Sequence, residues 1–400
     1  MYRLKHLSMW QKNLIVLWFG VFMTGIGMSE IMPFLSLYID ELGTFTQSQL
    51  SLYSSLVFSA AFLVMAIVSP FWGRLADKKG RKLMLLRSAL GMAIVFFSMG
   101  FVTNVWQLLL LRALQGAFGG FTSNSNALIA VQAPREKSGQ ALSILVTGAT
   151  AGTLLGPLIG GTLASIFGYR LSFHITGIIM FLVFLLTLFL VKEDVVTKKA
   201  EEAVVISQPK LSLKLVLHQK IILALFITTL SVQLVNMAIN PILSLYVKEL
   251  LNGHQSVTFI AGIVAAMPGI STMIAAPLFG RLGDRIGTNK VLIFGFALAA
   301  VTFLLTSFTQ SITQLMILRF FTGISDAALF PSIQSLLTKN TKKENTSLIF
   351  SYNQSFQSIG SVIGPLIGAF IANLFDYPAI FVFCSLLMVL NFIALAKQKN

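Results

Sequence analysis

The chain has 400 residues, 56% of them hydrophobic and 11% charged, and a formal net charge of +15; its mean hydropathy is +0.82. A soluble domain is about a quarter charged, so this composition leaves too little polar surface to cover a soluble core. The single cysteine, Cys384, excludes a disulfide framework, and His6, His174, His218 and His254 are too scattered for a metal set, so neither metal nor cofactor is expected.

Twelve continuous apolar stretches follow one another along the chain. They lie near 13–38, 50–72, 83–103, 105–131, 139–167, 171–191, 221–246, 257–280, 290–309, 312–337, 346–374 and 378–396. Each is about the length a membrane helix needs. The first is too long for a cleavable leader and lacks a small-residue cleavage site. Unbroken runs rather than alternation exclude a β-barrel. The expectation is an all-α membrane protein with twelve transmembrane helices.

The basic residues set the orientation. Of the 29 Lys and Arg, 24 fall at the two termini and in alternate connections, such as Arg74, Lys78, Lys79, Arg81 and Lys82 after the second stretch. Only Arg170 and Lys248 fall in the other connections, and Arg87, Arg112 and Arg319 lie inside spans. The positive-inside rule then places both termini in the cytoplasm of a multi-pass protein of the cell membrane. The net charge is a topology signal, and no nucleic-acid partner is expected.

The two halves repeat each other. Gly73, Asp77, Arg112 and Gly116 recur 207 residues later as Gly280, Asp284, Arg319 and Gly323. The run Pro33 to Tyr38 recurs 208 residues later as Pro241 to Tyr246, and Gly156-Pro-Leu-Ile-Gly160 returns unchanged from Gly364 to Gly368. Six plus six spans, each half starting on the same side, give two parallel repeats. The expected domains are a bundle over 1–192, a charged cytoplasmic linker over 193–220 and a second bundle over 221–400.

Three motifs carry a family resemblance. They are Gly73-Arg-Leu-Ala-Asp77-Lys-Lys-Gly80-Arg81-Lys82, Arg112-Ala-Leu-Gln-Gly116, and the series Gly148, Gly152, Gly156, Pro157, Gly160 and Gly161. The chain resembles the major facilitator superfamily over its whole length. It is most similar to the drug–proton antiporter branch, and within it to the twelve-span fluoroquinolone and multidrug efflux pumps of Gram-positive bacteria. The resemblance implies that the first motif latches the outward-open state. Asp77 would meet the start of the eleventh span near Asn345 and Thr346, and Arg81 would pair with Glu136. Asp284 heads a weaker second copy. It also implies that the fifth-span series marks an antiporter.

Physical reasoning adds to this. Gly80 and Gly73 permit positive φ and close backbone approach. Glycines four apart form a smooth stripe for another helix, and we expect that stripe where the two halves rock against each other. Charges at membrane depth are costly and point to function. Glu30 and Arg112 occupy similar depths and could pair. Asp326 sits near mid-depth with Arg319 aimed away, which suits a proton carrier. Arg87 is read as snorkelling to the membrane edge. A seventh-span acid is replaced by Asn240, with Asn236 a turn earlier. A large, sparsely polar cavity is expected from Asn124, Asn126, Gln233, Asn236, Asn240, Phe330, Tyr352, Gln354 and Phe356.

No phosphate-binding loop is present, so ATP hydrolysis within the chain is excluded. No nucleophile–base pair is visible, so no enzyme is expected. The reading is a monomeric, proton-coupled secondary active exporter of lipophilic or amphipathic drugs, working by alternating access in the lipid bilayer. The rival readings are an exporter of one endogenous metabolite, such as a sugar or nucleoside, and a transport-inactive sensor or scaffold.

Overall fold

In a bilayer every backbone N–H and C=O must find its partner within the chain, so long apolar runs become helices. A computed structural model describes residues 8–193, 219–251, 256–341 and 346–397, and all its regular elements are helical. Outside the description also lie the side chains of Asp77, Glu136 and Asp284. The partner expected for the latch, Asn345, and most of the linker over 193–220 also lie outside the described residues.

The elements in chain order are α1 (Met9–Ser29), α2 (Leu35–Glu41), α3 (Gln47–Lys79), α4 (Arg81–Met99), α5 (Val105–Phe118), α6 (Phe121–Gln132) and α7 (Arg135–Leu190). They continue as α8 (Lys220–Leu250), α9 (Val257–Ile286), α10 (Thr288–Thr306), α11 (Ile312–Lys339), α12 (Thr346–Leu374) and α13 (Tyr377–Lys397). Ten helices among the described residues are long and apolar enough to cross a membrane. Twelve crossings follow because α7 holds two and α5 with α6 makes one. The turn inside α7 is made at Gly168, with φ 80° and ψ 164°.

Two crossings are broken. Span 1 is interrupted between α1 and α2, where Pro33 has no N–H to give to the helix. Span 4 is interrupted between α5 and α6 at Gly119 and Gly120, and Gly120 is left-handed at φ 108°. Spans 3, 6, 9 and 12 carry exposed Ile94, Phe189, Phe294 and Leu390, as lipid-facing helices should.

By contacts the chain forms two compact units, one of Met1–Ile31 with Ala60–Gln208 and one of Met32–Ser59 with Pro209–Asn400. In the first, α7 lies along α1 and α4. In the second, α8 lies along α12, α9 along α11, and α10 touches α11 and α13. The second unit also holds α2. Ser36 Oγ donates to the Pro241 carbonyl at 2.5 Å, Lys248 pairs with Asp40 at 2.5 Å, and Ser59 Oγ donates to the Val362 carbonyl at 2.9 Å. Asp40 and Lys248 are 208 residues apart, so repeat-equivalent positions of opposite charge meet there.

The fifth-span glycine stripe meets span 1 of its own unit. A Cβ at Gly148 would lie 3.0 Å from the Trp18 carbonyl oxygen, and one at Gly156 would lie 3.0 Å from that of Ile26. At Gly152 it would strike the Phe22 carbonyl, and at Gly160 that of Glu30. The second unit repeats this: a Cβ at Gly360 would lie 2.7 Å from the Leu230 carbonyl oxygen, and one at Gly364 would lie 2.6 Å from that of Leu234. This corrects the expectation of a stripe between the halves. Carbonyls of α1 occupy the glycine face, so the stripe fixes span 1 to span 5. Pro157 and the buried Gly161 continue the same helix.

Backbone cannot retreat from a new side chain as a flexible neighbour can, and overpacking costs about 1–3 kcal/mol or more. Gly152→Leu and Gly360→Leu should therefore each lower the thermal unfolding midpoint of the purified protein by several degrees. Unchanged midpoints in both variants would remove the stripe's role in seating spans 1 and 7.

Candidate functional site

The charges that the fold buries are few, and each has a defined setting. Glu30 caps the end of α1 and is 1% exposed. Its Oε1 accepts no hydrogen bond, and Thr176 is its polar neighbour. Arg112, 3% exposed on α5, donates to Gln115, which in turn donates to Met28 Sδ at 3.4 Å. The described contact of Arg112 is thus with Gln115, within its own helix.

In the second unit the polar residues gather on one face of α8. Thr229, Gln233, Asn236 and Asn240 follow the spacing of a single helix face. Thr229 donates to Asn353 Oδ1 at 2.7 Å, and Gln233 donates to Ser361 Oγ at 2.9 Å. Gln357 donates to Gln233 Oε1 at 3.4 Å. Asn236 Nδ2 donates to Asp326 Oδ1 at 3.3 Å. Asn240 reaches only Met237 Sδ, at 3.5 Å. So α8 carries an amide ladder that bonds to α12 at two levels and to the Asp326 carboxyl of α11 at a third.

Asp326 is half-buried. Arg319, 6% exposed, lies within its electrostatic reach, although helix geometry had suggested that it points away. The Arg319 Nε and Nη1 atoms have no hydrogen-bond partner. Neither acid recurs in the other repeat. The repeat counterpart of Glu30 is Ala238, and that of Asp326 is Gly119. Each repeat folds with a small apolar residue where the other holds a carboxyl.

Other cavity candidates divide between the units. Asn124 Nδ2 donates to the Gly120 carbonyl at 2.8 Å, across the break in span 4, and the residue lines a cavity of about 300 Å³ there. Asn126 Oδ1 is buried without a partner. Both lie in the first unit. In the second, Phe356 stacks on Phe226 with centroids 5.0 Å apart. Phe330 and Tyr352 are half-buried, and Gln354 is exposed.

The motif loop is partly described. Gly80 begins α4 at φ 98°, as expected. Gly73 lies inside α3, where a Cβ would meet nothing within 4 Å, so nothing in the structure requires glycine there. Glu193 was read from sequence as linker charge. Instead its carboxylate accepts from the backbone N–H groups of Arg81 at 2.8 Å and Lys82 at 3.0 Å, satisfying the first turn of α4.

Arg87 is the residue that the sequence misassigned. Its Nη1 donates to the Ala117 carbonyl at 3.1 Å and its Nη2 to that of Gly119 at 2.7 Å. Its guanidinium lies 3.8 Å from the centre of the Trp72 ring. It therefore supplies the donors that the ended helix α5 lacks, beside a cavity of about 300 Å³ lined by Met28, Met65, Trp72 and Met92. The signal available in the sequence was a Gly-Gly pair in one span with an arginine in the span before it.

The family model described as Major Facilitator Superfamily matches residues 17–253 and 225–398. This chain belongs to the Major Facilitator Superfamily. A multidrug resistance protein, MdtG, of Salmonella heidelberg (strain SL476) is 49% identical over 372 residues, covering 93% of this chain and 91% of that protein. MdtG of Salmonella newport (strain SL254) is 48% identical over the same span. Among solved structures, the nucleoside transporter NupG has a TM-score of 0.79 at 13% identity, covering 98% of this chain and 100% of that one. An inward-facing bacterial homologue of the human lysosomal transporter Spinster has a TM-score of 0.77 at 15% identity, covering 96% of each chain. At such identities these two likenesses speak for the fold alone. The superfamily member described here is thus a multi-pass membrane transporter.

Hydrogen bonds from a charged group contribute about 1.5–3 kcal/mol. Arg87→Met would leave the carbonyls at the end of α5 without their donors. Its thermal midpoint should fall, and Arg87→Lys, with a single point charge, should recover only part of the loss. A wild-type midpoint for Arg87→Met would show that the break in span 4 needs no cap.

Proposed function

We propose that this superfamily member is a proton-coupled exporter of amphipathic drugs. The observation that carries the reading is the Asp326 carboxyl on α11. It faces a neutral amide of α8 at membrane depth, in a position where the other repeat has glycine. A costly group at membrane depth that the other repeat lacks points to function. The likeness to proteins named for multidrug resistance, over nearly the whole chain, supports the cargo class.

Both termini are cytoplasmic in this account, because the basic connections lie at that end of the helices. Asp326 takes a proton from the outer side, releases it to the cytoplasm, and cargo moves the other way. Glu30, buried beside Thr176, is the second acid available for the same task. Arg112 and Arg319 set the local charge around the two acids. The amide ladder of α8 offers cargo a few hydrogen bonds among apolar neighbours, which tolerates varied shapes. One proton moving down roughly 150 mV supplies about 3.5 kcal/mol, enough for a cargo gradient of a few hundred-fold.

The test is dye export from energised vesicles, with and without a proton uncoupler. Wild-type export should collapse with the uncoupler. Asp326→Asn keeps shape and hydrogen bonding but cannot titrate, so uphill export should fall at least about tenfold while downhill exchange of a neutral dye survives. Full uphill export by Asp326→Asn would move the proton site to Glu30. Full export by the double variant with Glu30→Gln would refute proton coupling through these acids.

A further inference from the structure

The two repeats end differently at their basic face. In the first unit, the chain that leaves span 6 is tied to spans 1, 3 and 4 by hydrogen bonds. The Lys192 carbonyl accepts from Asn13 Nδ2 at 2.7 Å and Gln132 Nε2 at 2.9 Å, and the Lys192 N–H donates to Asn13 Oδ1 at 3.0 Å. This clasp delivers Glu193, whose carboxylate sits on the first amides of α4 next to Gly80. A negative group at the start of the third span is therefore part of the first repeat.

In the second unit the same helix start is built again. Gly287, 207 residues after Gly80, begins α10 at φ 102°. At the counterpart of Asn13, 208 residues on, stands Ile221, which has no side-chain amide to offer such a clasp. This unit has a hollow of about 370 Å³ between spans 7, 9, 10 and 12, whose polar lining is Lys220, Asn289 and Asn340. A second hollow, about 290 Å³, adjoins it beneath Gly287 and is edged by Lys290 and Lys339. Lys339 Nζ donates to Thr288 Oγ1 at 2.8 Å, which holds a cation over the start of α10. Among the described residues lining both hollows there is no acid. The floor is aliphatic, from Leu225, Leu292 and Leu395.

We propose that this hollow binds the phosphate of an anionic phospholipid, held by Lys220, Lys339 and the amide end of α10, with an acyl chain along the aliphatic floor. The cytoplasmic leaflet supplies such lipids, and cations beside a helix start suit their phosphate. A soluble phosphate ester shares that chemistry but has no use for the floor. The proposal goes beyond drug export, and it takes from that reading only the cytoplasmic placement of the basic face.

The test uses the purified full chain in neutral detergent and needs no transport. Phosphatidylglycerol should raise the thermal unfolding midpoint, whereas phosphatidylcholine and millimolar inorganic phosphate should not. The Lys220→Gln, Lys339→Gln double variant should lose at least about half of that rise, and Lys220→Arg with Lys339→Arg should keep it. Lys12→Gln with Lys79→Gln, at the same face of the first repeat, should also keep it. An equal rise in the Gln double variant, or an equal loss with Lys12→Gln and Lys79→Gln, would overturn the site in favour of a diffuse basic surface. A rise with inorganic phosphate in place of the lipid would overturn the lipid assignment.

Discussion

Backbone meets backbone along spans 1 and 5, and again along spans 7 and 11. Lipid tails are as apolar as leucine, so no hydrophobic force drives these helices together. Close approach is what joins them, and only glycine permits it at these distances. The consequence is positional. Span 5 grips the carbonyls of Phe22, Ile26 and Glu30, and so it fixes the level at which the Glu30 carboxyl is presented. Span 11 grips the carbonyls of Leu230 and Leu234, between which Gln233 of the amide ladder projects.

The duplication sharpens the argument about function. Some residues that both repeats carry are explained by packing. Gly116 and Gly323 are an example, each set against a carbonyl one span-pair away, at Ala61 and Pro268. Where the repeats differ, the difference calls for another reason. Glu30 against Ala238 and Asp326 against Gly119 are differences in charge at membrane depth. Glu193 with its clasp, against the open hollow at Lys220, is a difference at the basic face. Each marks a place where one half does something that the other does not.

The twelve crossings, the duplication and the family were legible in the sequence, because span length, lysine placement and motif spacing are local or periodic signals. The breaks were less so. Pro33 interrupts span 1, yet its counterpart Pro241 lies within the unbroken α8. Partners were not legible. A glycine stripe declares that something comes close, but not which helix, and Arg87 declares a charge without revealing the carbonyls of Ala117 and Gly119. Glu193 looked like the first residue of a charged linker, although its carboxylate ends up on the amides of α4. Asn236 and Asp326 were both singled out, and their hydrogen bond joins two elements 90 residues apart.

The central claim is exchange of cargo for protons, and it is tested most directly by running the exchange backwards. Purified protein is placed in sealed proteoliposomes loaded with a pH-sensitive dye, at equal pH on both sides and with no membrane potential. A lipophilic dye cation is then added outside as the only gradient. The account predicts proton movement out of the lumen as cargo moves in, abolished when Asp326 and Glu30 are both made amides. Proton movement in the same direction as the cargo, or cargo movement with a flat lumenal pH, would contradict it.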